Sequence, residues 1–255
     1  MSYALLRQGD HLPSVGVLQK LLNRTGATLI ADGAFGNNTR GAVTTFQRDR
    51  HMGADGVVGQ QTWPRVVASE PLPIVDCVDV FDPSLYQLEV QDIQNAGGHP
   101  IIIGGMSNGV EQLVSEIVGR ARNVFMLRFH GHGASGVAGM SMGQMGSGLR
   151  HRAGIGPQNL EIMLPILRRL RPIFGAYGCV QFMHCSTGKG PQGRQVLQQI
   201  ANHLGVPVSA GTIDQLGGGL NTFRFEGPTF TAVPGGASLA GWCGALPDFV
   251  GMSVP

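Results

Sequence analysis

Hydrophobic positions in the first seventy residues recur at helical spacing. Val15, Leu18, Leu21 and Leu22 fall on one face after Pro13-Ser14, and Val43 and Phe46 repeat that spacing further on. Asp32-Gly33 and Asp55-Gly56 are turn dipeptides, with glycine free to take positive φ. Thr39 and Thr62 stand where a helix N-cap is expected. These features belong to one pattern written twice: residues 31–39 read ADGAFGNNT and residues 54–62 read ADGVVGQQT. The pattern predicts about three short helices around a small core of Leu18, Leu22, Val43, Phe46 and Trp63.

Residues 69–75, SEPLPIV, carry two prolines and mark a linker, so the module is expected over 1–68 and a second domain over 76–255. Beyond the linker, short apolar runs alternate with helical periodicity. Strands are expected at 75–80, 100–103, 124–129, 172–177 and 206–210. Helical segments are expected at 86–96 (helix or turn), 108–121, 160–170 and 192–204, with a glycine- and methionine-rich loop over 134–156. A late β-hairpin is expected over 223–233, with Glu226-Gly227-Pro228 near its turn. The predicted fold class is therefore α+β with two domains: a small three-helix module, then an α/β domain with a mainly parallel sheet flanked by helices.

Composition narrows the function. The net charge of +2 gives no bulk field for nucleic acid or an anionic membrane. Forty glycines beside 42% apolar residues indicate a tightly turned folded domain, not a disordered tail. Cys77, Cys179, Cys185 and Cys243 form no CxxC pair; their number allows disulfides without demanding them. No apolar run is long enough to span a bilayer. The opening MSYALLRQGD lacks the basic and apolar regions of a secretory signal, which predicts delivery to the periplasm or wall without one.

The run LRQGDHLPSVGVLQKLLN, then ADGAFGNNTRGAVTTFQRDR, then ADGVVGQQTW, resembles the peptidoglycan-binding domain found at the ends of many bacterial wall hydrolases. The resemblance covers roughly residues 4–68 and implies a three-helix fold that docks on peptidoglycan, with Asp32, Phe35, Asp55 and Trp63 as contact candidates. The link between Gly26 and Asp32 lacks the aromatic that many members carry there.

Two strand ends in the second domain carry reactive groups. One is FRFHGHGASG, with His130 and His132; the other is GAYGCVQF, with Cys179. Open α/β sheets form sites at the C-terminal ends of strands. A thiol beside an imidazole ionises more readily and becomes a nucleophile. The amides of Gly133 and Cys179 would then form an oxyanion hole. The pattern resembles caspase-like cysteine peptidases, in which a His-Gly pair follows one strand and the nucleophilic cysteine follows the next, after a helix. The resemblance spans roughly residues 76–235, extends to YGC and GTIDQLGGG, and implies Cys179 as nucleophile and His132 as base. His130 either supports His132 or is itself the base.

Competing readings bear on each residue. A cysteine at a strand end is most often a small buried hydrophobe, and the HGHG segment is what raises Cys179 above that. His184 and Cys185 read as packing or pocket-lining, Cys77 and Cys243 as structural, and Asp214 as a pocket wall or a turn cap. A zinc site from His130, His132 and Cys179 or His184 lacks a nearby carboxylate, so no metal and no cofactor are expected. A wall-crosslinking transpeptidase places its histidine and cysteine close in sequence, unlike His132 and Cys179. The expectation is a peptidoglycan-targeted cysteine hydrolase acting as an antibacterial effector or lysin, an effector implying a cognate immunity protein. The alternatives are a caspase-like endopeptidase acting on proteins, and an inactive wall-binding protein.

Overall fold

The computed structural model describes residues 1–80, 82–104, 109–140 and 154–252. The chain divides into two compact units. One comprises Tyr3–Leu72 with Ala237–Pro255; the other comprises Met1–Ser2 with Pro73–Gly236.

The first unit contains α1 (Pro13–Asn23), α2 (Asn37–Asp49) and α3 (Thr62–Val67), and near the C-terminus a short helix (Leu239–Gly244) that joins them. The repeated sequence pattern has a physical cause. Gln19 reaches from α1 into the first Asp-Gly turn, where its amide NH2 donates to Asp32 Oδ1 (2.8 Å), Ala34 O (3.1 Å) and Thr39 Oγ1 (3.1 Å). Its carbonyl accepts from Gly33 N at 3.0 Å. Gln47 repeats this from α2, donating to Asp55 Oδ1 (2.9 Å), Val57 O (2.9 Å) and Thr62 Oγ1 (3.2 Å) and accepting from Gly56 N (2.9 Å). One buried glutamine per copy thus satisfies a turn and the start of the following helix, which buried polar groups require. Thr39 and Thr62 are not N-caps: Thr39 is the third residue of α2 and Thr62 the first of α3, and each hydroxyl serves this network.

The core of this unit includes Leu18, Leu22, Val43, Phe46 and Trp63, all buried. Trp63 stacks on Tyr3 (centroids 5.6 Å apart) and its indole N–H donates to Ala4 O. The C-terminal segment, expected with the α/β domain, packs here instead. A Cβ on Gly16 of α1 would lie 2.4 Å from Cys243 Sγ, so only glycine lets the C-terminal helix approach so closely. Lys20 pairs with Asp248 at 2.7 Å, and Met252 N donates to Arg24 O.

The second unit is built on β1 (Ile74–Asp79), α4 (Pro83–Asn95), β2 (Ile101–Ile103), α5 (Val110–Arg120) and β3 (Val124–His130). A small sheet of β4 (Gly133–Ala134), β5 (Val137–Gly139) and β6 (Gly154–Ile155) follows. The chain continues through α6 (Leu160–Arg168), β7 (Phe174–Met183), α7 (Gly190–Leu204), β8 (Val208–Gly211) and β9 (Thr229–Ala232); the C-terminal helix of the first unit is α8. The main sheet runs β2-β1-β3-β7-β8-β9, parallel except for β9. Apolar residues of α5, α6 and α7 pack with Cys77, Phe129 and Phe182 of the sheet in one core. The opposite face carries Asp76, Arg128, His130 and Gln181, all buried.

Two elements differ from the sequence reading. The hairpin expected over 223–233 is a 3-10 turn at Gly219–Phe223 and a single strand, β9, paired with β8. The expected 134–156 loop begins and ends in strand, its middle (141–153) lying outside the described residues. Replacing Gln47 by alanine leaves the Asp55 turn and the α3 start without their shared partner. The expected cost is about 2–3 kcal/mol in urea unfolding of the full chain, with Gln61→Ala, an exposed neighbour, as the silent control.

Candidate functional site

The parallel pairing of β3 and β7 decides which residues meet. Val124 pairs with Phe174, yet Met126 pairs with Cys179, so extra β7 residues bulge out between the two rungs. From Met126 onward the register is unbroken and ends with His130 opposite Met183. Cys179 therefore lies four rungs before the strand end, roughly 13 Å back along β7 at ordinary strand rise. It is fully buried. The structure does not bring its sulfur to the HGHG segment, and its amide is not level with Gly133. The expected Cys179–His132 pair and Gly133–Cys179 oxyanion hole are thus not assembled. The Gly-Cys step that read as a strand end is the end of a bulge.

The cysteine level with HGHG is Cys185, two residues past the end of β7. It is half-buried; its thiol donates to Gln215 O at 3.2 Å and accepts from Gln215 N at 3.4 Å. Sequence reading set it aside because it took β7 to end at Tyr177.

The segment after β3 is stitched to the segment after β7. His184 Nε2 contacts Gly139 O at 2.8 Å, Thr187 Oγ1 donates to Val137 O at 2.9 Å, Gly136 N to Thr187 O at 3.1 Å and Ser135 Oγ to Lys189 O at 2.8 Å. Gly133 has no room for a side chain: a Cβ there would lie 2.7 Å from His184 Cβ and 2.8 Å from Thr187 Oγ1. His132, the preceding residue, is thereby held at the edge that carries Cys185, with its imidazole about half exposed.

The two histidines of HGHG have different surroundings. His130 is fully buried, 3.2 Å from Asp76 Oδ1 by Nε2 and 3.5 Å from Glu89 Oε1 by Nδ1. Arg128 also grips Asp76 Oδ1 (2.6 Å) and bonds to the Ser2 carbonyl, while the Ser2 hydroxyl bonds to Asp76. Burial disfavours the imidazolium, but hydrogen bonds to Asp76 and Glu89 and their charges outweigh it and lift the His130 pKa to about 8. Burial likewise opposes ionisation of Asp76, yet the Arg128 charge and His130 hold its carboxyl well below the usual range. His130 thus sits as a buried strut under α4, between Asp76 and Glu89. His184, buried beside Gly139, is pushed down to about 4, chiefly by burial, and is neutral at pH 7. Burial raises Cys77 and pushes Cys243 up to about 12. No group of three His, Cys, Asp or Glu side chains suited to a metal is found among the described residues.

In the helical unit, Phe35 and Trp63 are buried core, and Asp32 and Asp55 are held in their turns by Gln19 and Gln47. Through these contacts they support the module. A groove of about 1100 Å³ opens elsewhere on that unit, lined by Thr28, Asn37, Asn38, Thr45, Asp49 and Arg50 among others. Amide and hydroxyl groups over an apolar floor at Phe46 suit a ligand rich in hydroxyls and peptide amides.

Residues 11–65 match the family model described as "Putative peptidoglycan binding domain". Among solved structures, the chain is similar to a peptidoglycan-binding protein from Clostridioides difficile in complex with glutamine hydroxamate: 32% identity, 24% of this chain, 39% of that one, TM-score 0.24. It is also similar to the Burkholderia AP3 phage endolysin: 39% identity, 28% of this chain, 27% of that one, TM-score 0.26. The chain thus spans less than half the length of either. No helix among the described residues is long and apolar enough to cross a membrane.

The buried histidines give stability a defined pH dependence. His130, with its pKa raised, stabilises the fold fully below pH 6.5, and that contribution, on the order of 2 kcal/mol, is lost as pH rises through about 8. His184, with its pKa lowered, stabilises above pH 6.5 and loses its contribution as pH falls toward 4. Urea unfolding from pH 5 to 8.5 is expected to show a maximum near pH 6.5. His130→Gln should be less stable throughout and should lose the alkaline limb while keeping the acid one.

Proposed function

We propose that this chain is a wall-targeted thiol hydrolase that cuts an amide bond in peptidoglycan peptides. Its helical module holds the polymer and its α/β unit supplies Cys185 as nucleophile and His132 as base. The observation that supports the proposal is the stitching of the β3 and β7 exit loops: His132, its imidazole about half exposed, follows β3, and half-buried Cys185 follows β7. The order also fits the caspase-like resemblance: His132-Gly133 follows β3, α6 intervenes, and Cys185 follows the neighbouring strand β7. The wall as target rests on the family match of residues 11–65.

The chemistry is acyl transfer. His132 takes the Cys185 proton, and the thiolate attacks the amide carbon. The amides of Gly133 and Cys185 receive the oxyanion as the tetrahedral intermediate forms. His132 then gives its proton to the departing amine, leaving a thioester. Water, deprotonated by His132, hydrolyses the thioester, frees the carboxylate and restores the thiol. Cys185 must leave its contacts with Gln215 to attack, so substrate entry includes a shift of the 213–215 segment. Action as an antibacterial effector or lysin belongs to the same proposal, and expression in a periplasm with and without the Cys185→Ala change tests it by lysis.

Purified sacculi incubated with the full chain are expected to release fragments bearing new amine and carboxyl ends, read by mass spectrometry. Cys185→Ala and His132→Ala should reduce release at least a hundredfold while still pelleting with sacculi. Cys179→Ala should keep its activity, and Asn38→Ala in the groove should weaken sacculus binding. Release that persists in Cys185→Ala would refute the thiol mechanism. Cleavage of protein substrates alone would favour the endopeptidase alternative.

A further inference from the structure

Helix α4 presents one carboxylate to each histidine of HGHG. Glu89, two helical turns in, faces buried His130, and Asp82, the N-cap of α4, faces exposed His132 with Oδ2 3.3 Å from Nε2. The spacings match. Seven residues of helix cover about 10 Å and two strand residues about 7 Å, so the pairs form successive rungs between helix and strand. The first rung is a strut, as its burial shows. The second stands at the edge that carries Cys185.

We infer that Asp82 is a positioning residue for His132, fixing the ring and its tautomer so that Nδ1 serves the Cys185 thiol. The inference rests on the Cys185–His132 reading. Asp82 is built for a fixed orientation because its other oxygen is occupied: Oδ1 accepts from Ser84 N (3.0 Å), Leu85 N (3.3 Å) and Ser84 Oγ (2.6 Å). A carboxylate clamped on one side by a helix N-terminus can turn only its second oxygen to the imidazole. Those same hydrogen bonds, the Ser84 hydroxyl first, hold the Asp82 pKa to about 2, so the group is anionic at neutral pH. An anion at Nε2 keeps the proton on that nitrogen, leaves Nδ1 as the basic one and steadies the imidazolium formed on proton uptake.

Other titratable groups near His132 come from three elements. Asp79 ends β1 beside Gly131 and Gly139, His130 lies two residues back on β3, and His184 follows β7 with its charge coupled to His132. Asp79 and His130 are buried, and His184 is engaged with Gly139 O, whereas Asp82 contacts the His132 ring from the solvent side.

The test needs no substrate. Cys77, Cys179 and Cys243 are buried, so brief iodoacetamide treatment of the native full chain, with the alkylated peptide identified by mass, reads Cys185. Asp82→Asn retains a good N-cap while removing the charge. Its thermal midpoint should match wild type, while Cys185 alkylation at pH 7 slows at least fivefold and the midpoint of the rate–pH profile rises by about one unit. Asp82→Glu should recover part of the rate. An unchanged profile in Asp82→Asn, with alkylation slowed in His132→Ala, overturns the Asp82 role and leaves the Cys185–His132 pair standing. An unchanged profile in His132→Ala removes the pair itself and the inference with it.

Discussion

The arrangement of the α/β unit depends on how β7 joins β3. The two strands are parallel, and after the bulge they run in unbroken register from Met126–Cys179 to His130–Met183. That register alone makes the segments after His130 and Met183 leave the sheet level with one another. Side-chain and backbone hydrogen bonds then lock the two exits together, and Gly133 is the point of closest approach. Sliding β7 by one residue would turn Cys179, Gln181 and Met183 to the other face.

That cluster occupies the face a purely apolar sheet would bury. Asp76, Arg128, His130 and Glu89 are almost solvent-free, and they are tolerable only because each charge meets an opposite one. Its directional contacts tie β1, β3 and α4 into one orientation. Helix α4 thereby brings its N-cap residue, Asp82, to the His132 ring beyond the strand end. The strut and the site are consequences of the same helix position.

Much of the fold was legible in the sequence. The doubled Ala-Asp-Gly pattern announced the helical module because a buried turn must be satisfied in the same way each time it is used. The partner was less visible: Gln19 and Gln47 lie at different distances from their turns, since one link between helix and turn is longer than the other. Alternating strands and helices gave the parallel sheet. The C-terminal return to the first unit left no periodic signal beyond a short WCG run, because its packing rests on the bare backbone of Gly16.

The site was half legible. His132-Gly133 stood out because a close approach needs glycine next to the reactive ring. Cys179 was expected at a strand end because β7 was taken to stop at Tyr177, whereas Gly175 and Gly178 lie in a crowded bulge where a Cβ would strike Asn123 or Phe174 and the strand runs on to Met183. Placement of Cys185 depends on register, and register is a property of two strands that one strand's sequence does not display. The most direct measurement is a crystal structure of the chain after reaction with an electrophilic acyl peptide. The account predicts a covalent bond to Cys185 Sγ with the His132 ring within hydrogen-bonding distance of it. A structure with the adduct on another residue, or with Cys185 modified and His132 turned away from it, would contradict the account.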